Sequence, residues 1–193
     1  TGRRQVFYRD NMFNYFQLLE NDVDPVHTAI LHRDSPFEKY AGMGRIPTIY
    51  PRETDYGIEM VAYRPATEDF PEYRRVTNFY MPNLLRLELP YVQPPIEMAK
   101  WVVPLDDTTC RTFIVQIHHT TLSPELQREA AIIPEQDSMA VSRQGVIYDR
   151  TRERLGESDR GIILLRKLYF RAIAEAETIS TDRERGYSRQ RVV

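Results

Sequence analysis

Asp24, His27 and His32 lie in one short string, Asp24-Pro25-Val26-His27-Thr28-Ala29-Ile30-Leu31-His32. Imidazole nitrogens and carboxylate oxygens ligate divalent transition metals, and both groups also carry protons. Asp24 and His27 are three apart and share a helical face. The two histidines are five apart, which on a regular helix turns by about 500° and leaves them about 140° apart. They can share one ion only if the helix is distorted or ends between them. Hydrolytic zinc sites of the His-Glu-x-x-His type instead place histidines at i and i+4 with a general base between them. No such carboxylate stands between His27 and His32, which disfavours a zinc hydrolase. The residues alone leave two readings open. In one, Asp24 only caps a helix whose first residue is Pro25, and the histidines are half-exposed helix residues. In the other, they form part of a metal site.

The elements that must position these groups can be read from periodicity. Asn11 to Glu20 reads as a helix with Phe13, Tyr15, Phe16, Leu18 and Leu19 on a broad apolar face. Asp24-Pro25 opens a second short helix carrying Val26 to His32, closed by Asp34-Ser35-Pro36. Strand patterns follow at Tyr56–Tyr63, Tyr73–Met81, Leu84–Leu89, Trp101–Val103 and Thr112–His118, with a turn at Asp106–Thr109. Pro47, Pro51, Pro90, Pro94, Pro95 and Pro104 read as breaks between the pieces, and Gly57 as a bend. Ser123-Pro124-Glu125 starts a short helix. Ser158-Asp159 starts the longest, with Ile162, Ile163, Leu165, Leu168, Tyr169, Ala172, Ile173 and Ala176 at helical spacing. Meandering strands between helices give an α+β domain with a curved antiparallel sheet.

Composition bounds the function. At 193 residues, with 28% charged and 41% hydrophobic, the chain is one globular domain. A net charge of -2, from 26 basic and 28 acidic residues, argues against a general nucleic-acid surface and leaves a local patch open. The single cysteine, Cys110, reads as a small buried hydrophobe on a strand. One thiol excludes an internal disulfide framework, a zinc knuckle and any iron–sulfur cluster on this chain's own thiolates. It fits a reducing cytoplasm. No apolar run approaches the ~20 residues that span a bilayer, and no signal peptide is visible. Structure is expected to begin at about Asn11, after a short lead. His118 and His119 sit at a strand end and read as structural or exposed. Phe79, Met81, Phe113, Val115 and Ile117 read as core first and cavity lining second. Arg183, Arg185, Arg189 and Arg191 make residues 182–193 a basic, solvated tail.

The segment Asn14 to His32 resembles the iron-binding segment of Rieske-type non-haem iron oxygenases, most closely the phthalate-dioxygenase-like, aromatic-ring-hydroxylating branch. A second stretch, Gln144-Gly145-Val146-Ile147-Tyr148-Asp149-Arg150-Thr151 followed by Glu153-Arg154-Leu155-Gly156-Glu157-Ser158-Asp159, is similar to that branch's C-terminal motif. Asp55-Tyr56-Gly57 and Val103 to Thr108 also look like it. The resemblance covers essentially the whole chain.

That resemblance implies a helix-grip, Bet v 1-like fold with a long C-terminal helix. It implies Fe(II) held on one face by His27, His32 and a carboxylate, with the other face open to dioxygen and an aromatic substrate. Asp137 is the expected carboxylate, at a helix start, with Glu135 as the alternative. Asp24 resembles the family's catalytic bridging aspartate, which joins a histidine ligand to the Rieske cluster of a neighbouring subunit. The capping and bridging readings compete for the same side chain. Asp149-Arg150 and Ser158-Asp159 are expected to fix loop and helix ends. The outcome would be ring hydroxylation or oxidative demethylation. Electrons would come from NADH or NADPH through a separate reductase or ferredoxin and a Rieske [2Fe–2S] cluster, in a homotrimer. The Rieske domain is expected to lie outside residues 1–193, which would be the catalytic half alone. Arg74 and Arg86 are candidates to pair a carboxylated aromatic, set against simple surface placement. A contrasting expectation is a metal-free binder of hydrophobic small molecules, a use to which helix-grip folds are often put.

Overall fold

The computed structural model describes residues 2–35, 42–90 and 92–189, with side chains to residue 179. Seven strands form one antiparallel sheet: β1 (Arg3–Asn11), β2 (Thr48–Glu53), β3 (Gly57–Arg64), β4 (Tyr73–Tyr80), β5 (Leu84–Leu89), β6 (Ile96–Pro104) and β7 (Cys110–His118). Their spatial order is β1-β7-β6-β5-β4-β3-β2. Two helices, α1 (Tyr15–Val23) and α2 (His27–Leu31), leave β1; α3 (Pro124–Ala130) and α4 (Ile132–Ser142) follow β7. The chain closes on α5 (Arg160–Arg189). A curved sheet gripping a long C-terminal helix is the helix-grip architecture, so the α+β, Bet v 1-like expectation holds.

One face of each central strand is buried, as the period of two requires. Ile58, Met60 and Ala62 of β3, Phe79 of β4, Leu85, Leu87 and Leu89 of β5, and Ile96 and Val102 of β6 are all buried. α1 lays Leu18, Leu19 and Val23 on this face, and α5 adds Leu165 and Leu168. Burying such a leucine side chain contributes about 1.5–3 kcal/mol. The close seating of α5 on α1 needs Gly161: a Cβ there would lie 2.3 Å from the Met60 methyl and 2.9 Å from the Val23 carbonyl oxygen. Gly57, read as a bend, has φ +145°, and a Cβ would lie 2.3 Å from the Phe79 carbonyl oxygen.

Two strands escape the periodicity. Residues Arg3 to Asn11, expected as a lead, pair along their whole length with β7, from Arg3 opposite His118 to Asn11 opposite Cys110. β1 is an edge strand with most side chains exposed, so no clean apolar alternation marks it. β2 contains Pro51, read as a break. Proline cannot donate to a ladder but is tolerated on an edge strand, and β2 is the other edge. The first helix is shifted to Tyr15–Val23, because Asn14 caps it by accepting from the Phe16 N–H at 3.0 Å. Ser123 caps α3 through the Leu126 N–H at 3.1 Å, as its spacing predicts. The segment 182–189 continues α5 as helix, and Arg191 lies outside the described residues. Pro36 also lies outside them.

Candidate metal centre

α1 ends at Val23 and α2 begins at His27, so Asp24 stands at the corner between them. Its carboxylate caps α2: Oδ1 accepts from the Val26 N–H at 2.8 Å and Oδ2 from the His27 N–H at 3.1 Å. Burial pushes the Asp24 carboxyl up to about 6, against the pull of those two N–H groups. The same corner orients His27, whose Nδ1–H donates to the Asp24 backbone carbonyl in a short bond. The Asp24 carboxylate lies farther off, with Oδ2 4.0 Å from Nδ1. Fixing the proton on Nδ1 leaves the Nε2 lone pair available.

The condition set by the five-residue spacing is met. α2 ends at Leu31, and His32 has left helical geometry, with φ -104° and ψ 22°. The two rings come to rest edge to face, with centroids 5.3 Å apart. His32 is fully buried, and its Nδ1–H donates to Gln136 Oε1 at 2.8 Å. In the neutral ring its Nε2 is then the lone-pair nitrogen.

Both Nε2 atoms converge on Asp137, which lies 105 residues beyond His32 in the chain. Asp137 Oδ1 is 3.0 Å from His32 Nε2 and 3.5 Å from His27 Nε2. One ligand atom from each of His27, His32 and Asp137 lies within 4.8 Å of the others. Asp137 sits in the middle of α4 rather than at a helix start, because α4 begins at Ile132 and accepts Pro134 in its first turn. Glu135, the alternative ligand, points away and pairs with Arg9 at 2.7 Å. Asn21 Nδ2 donates to Asp137 Oδ1 at 3.3 Å.

The donor set fits a divalent transition metal. Burial pulls His27 down to about 4, so it is neutral at pH 7. Burial alone would raise the Asp137 carboxyl, but the adjoining histidines and Lys100 hold it down at about 2, so it is an ionised carboxylate. With the imidazole protons committed to Asp24 and Gln136, two nitrogen lone pairs and a carboxylate oxygen face one point, which is what a cation requires.

The triad opens on a cavity of about 870 Å³. Leu85, Leu87, Leu89, Ile96, Met98 and Ile133 supply apolar wall. From β7 the wall takes Thr112, Ile114 and Gln116, while Phe113, Val115 and Ile117 stand on the opposite face. Phe79 is core, and Met81 packs against the core. His118 is buried beside Gln116 at 3.1 Å, and His119 pairs with Glu97 at 3.0 Å; neither approaches the triad. Cys110 is buried, which pushes its thiol up to about 11 and leaves it unreactive.

The C-terminal motif serves α1. The Gln17 side chain donates to the Gly145 carbonyl at 3.1 Å and accepts from the Tyr148 N–H at 2.9 Å. Glu20 takes Arg150 at 2.8 Å and Arg166 at 2.7 Å, and Arg166 also grips Glu153 at 2.5 Å. Asp149 caps the 3-10 turn at Thr151, and Asp159 accepts from the Gly156 N–H at 2.7 Å. Gln136, Asn21 and Gln17 carry no sequence signal as single residues; only their place beside the triad reveals them.

No protein-family model matches this chain, and no curated protein matches it. Solved structures do. The NdmA QL mutant with caffeine, from Pseudomonas putida CBB5, is 18% identical with a TM-score of 0.71, covering 91% of this chain and 52% of that one. The terminal oxygenase of carbazole 1,9a-dioxygenase from Nocardioides aromaticivorans IC177 is 17% identical with a TM-score of 0.57, covering 86% and 57%. The quaternary ammonium Rieske monooxygenase CntA, in complex with an inhibitor, is 11% identical with a TM-score of 0.58, covering 83% and 48%. At such identities the likeness establishes the fold. The chain spans about half the length of these similar chains.

Proposed function

We propose that this chain is the oxygen-activating domain of a Rieske-type non-haem iron oxygenase, and that it hydroxylates or oxidatively demethylates an aromatic compound. The observation that carries the proposal is the convergence of His27 Nε2, His32 Nε2 and Asp137 Oδ1 at the wall of a cavity in a helix-grip fold. Two imidazoles and one carboxylate on one side of an iron leave other positions open for dioxygen. Fe(II) bound there would supply the chemistry of dioxygen binding and reduction.

The chain's own residues do the positioning. The Asp24 carbonyl and the Gln136 amide oxygen fix the two imidazole tautomers. Asn21 holds the Asp137 oxygen. The leucine-rich wall excludes water and presents an apolar aromatic body to the open side. Asp24 is assigned the bridging role as well as the cap. Its two oxygens serve backbone N–H groups, yet its side chain keeps 19% exposure, so one edge is open to a partner. That partner would be a histidine of a Rieske [2Fe–2S] cluster in a neighbouring subunit of a trimer, fed by a ferredoxin or a NADH- or NADPH-linked reductase.

The test is anaerobic reconstitution with Fe(II), followed by metal analysis. About one iron per chain is expected, against none for His27→Ala with His32→Ala. With reductase, nicotinamide donor and an aromatic substrate, the chain alone should not sustain turnover, and added Rieske domain should restore it. Iron uptake no greater than the double variant's, with tight binding of apolar aromatics, would instead make the domain a metal-free ligand carrier.

A further inference from the structure

Arg74 and Arg86, candidates to pair a substrate carboxylate, lie exposed on the sheet and outside the cavity, with Arg86 held by Glu97 at 3.4 Å. A different exposed surface, this one apolar, lies on α5. One side of the helix is committed to the domain, where Gly161, Leu165 and Leu168 are buried. Ion pairs mark its two flanks. Arg166 turns to Glu20 at 2.7 Å and Glu153 at 2.5 Å on one side, and Arg171 to Glu53 of β2 at 2.6 Å on the other.

At about 100° per residue, the face between those flanks carries Ile163, Lys167, Phe170, Ala174 and Glu177, with Ile173 at its edge. All six are exposed. Phe170 is 71% exposed, Ile173 51% and Ile163 45%. A solvated helix face carries polar and charged residues instead. Large apolar side chains at successive spacings of seven and three are the pattern of a helix that packs on another helix. No residue of this face lines the cavity, so a partner seated here leaves the cavity open.

Charge selects the partner and its direction. Lys167 and Glu177 are ten residues apart, about 15 Å along the axis. A second α5 laid antiparallel, with a twofold axis near Ala172, sets Lys167 of each copy against Glu177 of the other. The same register sets Phe170 against Ala174 of the other copy, large against small. A parallel pair would bring lysine to lysine and glutamate to glutamate. Glu177 also has an interaction within its own chain. A carboxylate accepts about four hydrogen bonds, so it has room for a lysine as well.

We propose that the outward face of α5 is a self-association surface, through which two copies of this chain pair antiparallel about a twofold axis. One patch serves both copies, so this contact closes at two. The seam from Ile163 to Glu177 is only about 21 Å long, which makes the interface smaller than the standard ~1,600 Å² and the dimer a micromolar one. The pairing goes beyond the oxygenase reading and holds with or without iron.

Sedimentation velocity on the metal-free chain, from about 1 to about 300 μM, tests it. The mass should rise with concentration from 22.8 kDa toward twice that value. Phe170→Glu should weaken association at least about tenfold and leave the melting temperature unchanged, since the side chain is exposed. Lys167→Glu sets acid against acid at both ends of the seam and should weaken it about tenfold at low salt. Lys167→Glu combined with Glu177→Lys restores opposite charges and should recover the dimer. Should Phe170→Glu fail to fold, the charge-swap series decides alone. A one-chain mass at every concentration would overturn the proposal. So would association that ignores Phe170→Glu and Lys167→Glu, or a double swap that stays as weak as the single one.

Discussion

The two sides of the metal triad are built in opposite ways. The histidine side is local: Asp24, His27 and His32 come from one turn and one short helix, and the Asp24 corner sets both the helix start and the His27 tautomer. The carboxylate side is long-range. Asp137 rides on α4, and the segment that follows α4 is pinned to α1 by Gln17 and Glu20, across 130 residues in the case of Glu20 and Arg150. A local device can survive modest changes elsewhere in the domain. A long-range one depends on the packing of the whole molecule, so the two sides should fail differently.

The largest expected effect comes from the ligands themselves. Asp137→Ala should weaken Fe(II) binding by at least about 100-fold, beyond what loss of an orienting partner typically costs, with little change in melting temperature. Equilibrium metal titration against a competing chelator measures it. Glu20→Ala strikes the long-range device and leaves Arg150 and Arg166 without their shared carboxylate. Because Arg150 is 30% exposed and Arg166 16%, a loss of about 2–3 kcal/mol is expected, below the range for a fully buried pair. Urea unfolding measures the stability. Iron affinity should fall with it, because the segment that follows α4 loses its Glu20 tie to α1.

Gln136→Ala separates orientation from stability. It removes the acceptor of His32 Nδ1–H and should cost about 10–30-fold in Fe(II) affinity, with unfolding shifted much less. Asp24→Ala is expected to be the mildest for iron, since the His27 tautomer is held by the Asp24 backbone carbonyl, which survives the substitution. It should cost about 1 kcal/mol of stability through the lost cap. Electron delivery from a Rieske partner should fall far more than iron binding if the bridging role is correct. Stopped-flow reoxidation of the reduced Rieske partner, compared with iron content, separates the two.

The same contrast explains what could be read from the sequence. The histidine side was legible because its ligands, cap and helix break occur within one string around Pro25. Asp137 came only through resemblance, since nothing in periodicity ties it to His32. Its place in mid-helix, rather than at a helix start, depends on Pro134 being tolerated in the first turn. Central strands were legible from alternation, whereas β1 and β2 were not, because edge strands need no apolar face and β2 tolerates Pro51. Arg75 lies in a strand that the sequence predicts, and Lys100 just ahead of the predicted Trp101–Val103 in a strand that runs Ile96–Pro104, but only the three-dimensional register turns them toward the cavity.

The most direct test of the central claim is anomalous diffraction at the iron absorption edge, from crystals grown anaerobically with Fe(II). The account predicts a single strong peak within coordination distance of His27 Nε2, His32 Nε2 and Asp137 Oδ1. No peak at that point, or one at His118 and His119 instead, would contradict it.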